Sequence, residues 1–266
     1  TFGVISYVHD QGKGHYNAFS VKATRRYGDG VSLNTSYTLA KSIDNTSGTR
    51  VQGYDILFPQ DSRCLECETG PSSFDVRHRW VMGAVYELPF GKGKMVNIDN
   101  GVLDGILGGW QLSTNTTISS GVPQTLSAGR VQSGTKALVP DRPSYSGVGD
   151  GYAADRSPSR WYDPASFVLA PEGQFGTVGR NWMTTPHLQQ IDASLSKNFL
   201  LPNGHRLQAR VEAFNVFNIP VWGAPNGNIL AGAAFPGAPE NAAHQGFGVI
   251  TSTALPMRQI QLGLKY

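Results

Sequence analysis

Apolar and polar residues alternate with period two along several stretches of the chain, and this pattern predicts strands. The clearest stretch is "VSLNTSYTLA", residues 31–40, with Val31, Leu33, Tyr37 and Leu39 on one side and Ser32, Asn34, Ser36 and Thr38 on the other. "YNAFSVKATRRY" at 16–27 sets Phe19, Val21 and Ala23 against Ser20, Lys22 and Thr24. "WQLSTNTTISSG" at 110–121 collects Gln111, Ser113, Asn115 and Thr117 on one face. "RLQARVEAFNVF" at 206–217 opposes Leu207, Ala209, Val211 and Ala213 to Arg206, Gln208, Arg210 and Glu212. The closing "PMRQIQLGLKY" opposes Ile260, Leu262, Leu264 and Tyr266 to Gln259, Gln261, Gly263 and Lys265. "TFGVISYV" at 1–8, "RHRWVMGAVYELPF" at 77–90 and "LQQIDASLSKNF" at 188–199 bring the set to about eight strands.

The connections differ in length. "GDG" at 28–30 and "PNGH" at 202–205 are tight hairpin turns, and "GKGK" opens a moderately short connection over 91–109. The segments 43–76, 122–187 and 218–256 are long, irregular and rich in Gly, Pro, Ser and Asn. Such lengths are out of place in a compact soluble domain. Short turns at one end and long loops at the other are the pattern of an outer-membrane barrel.

Alternation alone does not say which face is the inside. In a soluble sandwich the apolar face is the core, and in a membrane barrel it meets lipid. Strand lengths near 10 residues suit a tilted membrane strand. Aromatics stand near strand ends (Tyr16, Tyr27, Trp80, Phe90, Trp110, Phe199, Trp222 and Tyr266), as in interfacial girdles. The predicted fold is therefore all-β, an antiparallel transmembrane barrel portion over 1–266.

Composition agrees. Charged residues make up 15% of the chain, against about a quarter in ordinary soluble domains, and glycine is high at 32. The net charge of +3 is weak and only Arg25 and Arg26 are adjacent, so no nucleic-acid footprint is visible. No apolar run is long enough for a transmembrane helix, which does not bear on a barrel. The start, "TFGVISYVHD", has neither the basic nor the apolar region of a signal peptide, so the chain reads as a processed product or a piece of a longer one.

The segments "YNAFSVKATRRYGDGVSLNTSYTLAKSID", "DVRHRWVMGAVYELPFGKGK", "GGWQLSTNTTISSGVPQTLS", "QIDASLSKNF", "RLQARVEAFNVFNIPVWG" and "RQIQLGLKY", in this order, resemble the C-terminal barrel half of TonB-dependent outer-membrane receptors of the Oar-like, carboxypeptidase-regulatory-like subgroup. The resemblance runs from about residue 14 to the end. It implies the last third of a barrel of about 22 strands, with the plug domain and upstream strands lying outside this sequence. It also implies that the short turns are periplasmic and the long loops extracellular. The implied function is uptake of a nutrient ligand across the bacterial outer membrane. The implied partners are membrane lipid, an extracellular ligand, the rest of the receptor, and TonB through it. The rival reading is a secreted, soluble β-rich protein with hydrolase or glycan-binding activity.

Candidate chemistry is sparse. Cys64 and Cys67 have the spacing of a metal or redox motif. A zinc site needs further ligands, and no second CxxC or HxxxH accompanies them. A disulfide pinning an extracellular loop is the expected state. The six histidines are dispersed, and no nucleophile elbow or phosphate loop is present, so no catalytic residue, metal or cofactor is expected. The stretch 160–183 gathers Trp161, Tyr162, Phe167, Phe175, Arg180 and Trp182, the residue types of a ligand-gripping surface. Trp161, Tyr162, Arg180 and Trp182 are the ligand-binding candidates, against the alternative that they pack the loop onto itself. Arg206, Arg210, Glu212 and Lys265 are expected to line the lumen, and Asn215 and Asn218 to cap a turn.

Overall fold

The computed structural model describes residues 10–28, 30–47, 58–135, 139–201 and 204–266. The candidate strand over residues 1–8, and the tips of the loop at 48–57 and of the turn at 202–203, lie outside them. With 43% of residues in strand and 6% in helix, the fold is all-β.

Seven long strands form one sheet: β1 (Gly14–Gly28), β2 (Val31–Asp44), β3 (His78–Glu87), β4 (Trp110–Ser119), β5 (Leu188–Leu200), β6 (Arg206–Phe214) and β7 (Gln259–Lys265). Each pairs antiparallel with the next in chain order, a plain meander. A short strand, Gly70–Pro71, adds to the far end of β2. Among the described residues the sheet does not close, and β1 and β7 stand at its two edges. The connections β1–β2, β3–β4 and β5–β6 all fall at one end, and the three long segments all fall at the other, as the turn lengths predict. At the β1–β2 turn Gly30 has φ +77°, and a Cβ there would stand 3.1 Å from the Glu87 carbonyl oxygen, so the turn requires glycine.

The register sorts the side chains as the alternation predicts. One ladder runs Val31–Tyr86–Leu112–Leu195–Val211–Leu262 across six strands, all on one face. The opposite face carries Thr24–Asn34–Gly83–Asn115–Asp192 in a second ladder. Cross-strand hydrogen bonds lace this polar face: Ser20 to Thr38 at 2.9 Å, Ser113 to Ser194 at 2.7 Å, and Gln208 to Asn198 at 3.0 Å. Of the predicted lumen residues, Arg210 and Glu212 approach within 3.5 Å of each other. Asn215 and Asn218 cap the turn after β6 with φ of 50° and 54°. Asn215 brackets Ile219 with two bonds of 3.0 and 2.8 Å.

The girdle expectation needs one correction. Trp80 and Tyr37 share the apolar face near the long-loop end, and Trp110 and Phe199 share it near the short-turn end. Tyr16 has the parity of the polar face, because Phe19 and Val21 take the apolar one. A second difference is a short helix, α1 (Gly101–Leu107), inside the moderately short connection over 91–109, where the alternation predicts no helix. Asn100 caps it, accepting from the amides of Val102 and Leu103 at 3.0 and 3.2 Å.

The buried core is in the loops. Leu126, Tyr162, Phe167, Met183, Ile229 and Phe247 are its largest members, and every one belongs to the second or third long segment. The sheet's apolar residues are instead left open, with Phe19 64%, Val211 46% and Leu262 76% exposed.

Candidate functional site

The long segments build a compact cap over the far end of the sheet, and its local chemistry follows from turn-forming residues. Asp163 caps the short 3-10 turn Pro164–Ser166 and pairs with Arg160 at 3.1 Å. Tyr162, fully buried, donates its hydroxyl to Gln124 at 2.7 Å, and Gln124 donates in turn to the Pro225 carbonyl at 2.9 Å. Phe247 meets the rings of Tyr162 and Phe167 at 5.6 and 5.4 Å. Gly248, at φ +75°, passes so close that a Cβ would stand 2.8 Å from the Tyr162 amide nitrogen. The second and third segments therefore share one core.

The first segment is held by ions. Glu68 is 3% exposed and accepts two bonds from Arg142, at 2.5 and 3.0 Å. Arg180 is 4% exposed, pairs with the Asp44 carboxylate, and donates to the Glu68 carbonyl at 2.8 Å. Buried charges require such partners, since desolvation of each costs several kcal/mol. Asn181, at φ 53°, adds bonds to Thr125 and to the Pro71 carbonyl. Two arginines thus bolt the segment after β2 to the segment after β4.

Cys64 and Cys67 form a disulfide at the start of the turn Leu65–Glu68, which presents Glu68 to Arg142. At its exposed edge Lys13 binds Glu66 at 2.8 Å, a hydrogen bond first and a charge second, which holds the Glu66 carboxyl below its ordinary range. The Arg63 guanidinium, hydrogen-bonded to Asp61 at 2.9 Å, does the same to that carboxyl. A four-residue ring restricts the unfolded chain by about 2 kcal/mol in the loop-entropy picture. Reducing the disulfide, or replacing both cysteines by Ala, is expected to lower the thermal stability of the cap by that order, read by comparing oxidised and reduced protein.

The four ligand-binding candidates separate. Tyr162 and Arg180 are buried, and their polar atoms are taken up by the protein's own groups. Trp161 is half-buried, donates to the Thr184 carbonyl at 3.2 Å, and lies 6.0 Å from the Arg156 guanidinium. Trp182 is 43% exposed and packs edge-on against Tyr145 at 5.3 Å and Phe167 at 5.9 Å. The structure also shows what sequence reasoning missed, a cleft of about 610 Å³ between the second and third segments. Ser159, Arg160, Asp163, Phe235, Gln245 and Phe247 line it. No local motif signals this cleft, because its two walls are far apart in sequence. Among the described residues no three His, Cys, Asp or Glu side chains converge as metal ligands.

The distribution of apolar side chains bears on the membrane question. A soluble sandwich buries the apolar face of its sheet. Here the cap is packed like a soluble protein while the sheet face stays uncovered. No curated protein and no solved structure matches the chain. The family model described as "Outer membrane beta barrel domain" matches residues 1–261. That match answers the question the alternation left open: the chain belongs to the outer membrane beta barrel domain family of the bacterial outer membrane, and its apolar sheet face is the lipid face.

Proposed function

We propose that this chain is the C-terminal part of a TonB-dependent receptor barrel, taking up a nutrient ligand that the loop cap captures outside the cell. The observation that carries the reading is the cap itself. Loops of an inert barrel need no core of their own. These have one, bolted together by buried ion pairs and opened by a cleft of about 610 Å³. Strands with one polar face, laced by hydroxyl and amide groups, supply part of a lumen wall. Among the described residues β1 and β7 stand at the two edges of the sheet, where the remaining strands of a larger barrel would pair. The half-buried Trp161 and the exposed Trp182 remain the aromatic contacts within this segment, and the cleft adds Arg160, Asp163 and Phe235.

The test is uptake by cells that produce the protein, with and without TonB. Labelled ferric siderophores, an oligosaccharide mixture and a peptide mixture serve as probes. One class is expected to bind the cell surface in both strains and to accumulate inside only when TonB is present. Replacing Trp182 by Ala is expected to weaken surface binding by about 1–2 kcal/mol. Accumulation that is equal in the two strains would overturn the receptor reading.

A further inference from the structure

We infer that α1 is a membrane-surface anchor, lying on the lipid side of the barrel and seated in the headgroup and acyl boundary of the periplasmic leaflet.

The helix has no buried residue. Four of its seven residues are large and apolar, and all four face outward: Val102 is 74% exposed, Leu103 49%, Ile106 58% and Leu107 49%. Met95 and Val96, just before it in the same connection, are 84% and 45% exposed. In water this is an unfavourable surface, because apolar area left uncovered costs free energy in proportion to its extent. An isolated helix this short, with Gly101 and Gly105 among its seven residues, is also too weak to persist by propensity alone. Something must cover it.

The register says which side of the sheet the helix is on. Lys197 pairs with Trp110 on β4 and with Ala209 on β6, and Ala209 pairs with Leu264 on β7. All four belong to the apolar face. The Lys197 ammonium sits 5.1 Å from the Trp110 ring and 5.2 Å from the Phe199 ring. It donates to the last carbonyls of the helix region, those of Ile106 and Gly108. The Trp110 indole also donates to the Ile106 carbonyl, at 2.9 Å. The C-terminal end of α1 is therefore tied to the lipid face and not to the lumen. A lysine on that face is costly unless its charge is met. The helix carbonyls meet it here, which leaves Lys197 6% exposed.

Three observations favour lipid as the occupant. The helix lies at the short-turn end, which is periplasmic in outer-membrane barrels. Its exposed apolar surface continues the lipid face of the sheet through Trp110 and Phe199, which share that face at the short-turn end. Its one polar side chain, Asp104, turns back toward the turn that carries Lys92 and Lys94, where it accepts from the Lys92 amide at 2.8 Å. An apolar helix side with its acidic residue turned to a lysine-bearing neighbouring turn suits an interface between lipid and water.

The test uses the full chain in vesicles of phosphatidylethanolamine and phosphatidylglycerol. Single cysteines replace Ile106, Val211 or Glu172 and carry a nitroxide, with the Cys64–Cys67 disulfide left oxidised so that only the new thiol is labelled. Collision with oxygen, which partitions into lipid, is compared with collision with a water-soluble nickel chelate. Position 106 is expected to favour oxygen and to lie about 5–10 Å below the phosphates. Position 211 should lie deeper, and 172 in water. A label at 106 that meets nickel as freely as the one at 172, while 211 reports lipid, would overturn the anchor alone. A label at 106 shielded from both reagents would overturn it too, because it would mean that a second protein surface covers the helix. A label at 211 in water would remove the premise that this sheet face meets lipid, and the anchor with it.

Discussion

Replacing Leu33 by Arg is expected to destabilise the inserted protein by about 2–4 kcal/mol, the cost of an arginine on the lipid face near the bilayer midplane. Leu33 pairs with Ala84 on β3. Its ladder lies between two aromatic levels on the same face. Val31 pairs with Tyr86 toward the short turns, and Tyr37 pairs with Trp80 toward the cap. Aromatic levels mark the two interfaces of a barrel, so Leu33 stands well inside the hydrocarbon. Asn34, the next residue, has the opposite parity and pairs with Gly83 and Thr24 on the polar face. Replacing Asn34 by Arg should change stability by less than about 1 kcal/mol, since water or a polar lining receives the charge. The comparison is made by reversible urea unfolding in vesicles. Equal losses at the two sites would mean that the sheet does not separate lipid from lumen.

Replacing Glu68 by Ala is expected to cost about 3–5 kcal/mol, confined to the cap. The change strips a buried arginine, Arg142, of the carboxylate that neutralises it, which is the expensive way to break a buried pair. Arg142 is 6% exposed, and its partners Glu68 and Gln60 both belong to the first segment. Its Nε also donates to the Val178 carbonyl at 2.9 Å, so the disturbance passes to the stretch that carries Arg180. Hydrogen exchange is the measurement. Amides around residues 140–143 and 178–181 should lose protection, while the β4–β5 ladder keeps its own. Replacing Arg142 by Leu in the same protein should recover part of the loss, because two apolar groups are cheaper to bury than one orphaned charge. Uniform loss of protection across sheet and cap would show that the two parts unfold as one unit.

The cap was the part least legible in the sequence. Trp161, Tyr162, Arg180 and Trp182 stood out as a cluster, but their types say nothing about which way each side chain turns. Tyr162 went inward because Phe247, about 85 residues later, supplies the ring it packs against. Arg180 went inward because Asp44, at the end of a different strand, supplies its charge. Neither partner is within reach of a local pattern. The helix was missed for another reason. Asn100 and the spacing of Val102, Leu103, Ile106 and Leu107 are helix signals, yet seven residues are too few to show a period of 3.6.

The strands, their parity, the ends at which turns and long loops fall, and the family resemblance are all legible in the amino-acid order. Strand side chains alternate with period two, so five or six residues state which face is which. A one-residue slip would move every apolar group of a strand to the wrong face, so the same pattern also restricts the register. The place of the buried core, the candidate residues that remain open to a ligand, the cleft and the lipid-side helix all follow from long-range packing. Those depend on side chains that meet across tens of residues of irregular chain, where no periodicity links position to direction. The same alternation serves a sandwich and a barrel equally. What distinguished them was the match to the outer membrane beta barrel domain family, with which a sheet face left uncovered beside a cap that buries its own core agrees.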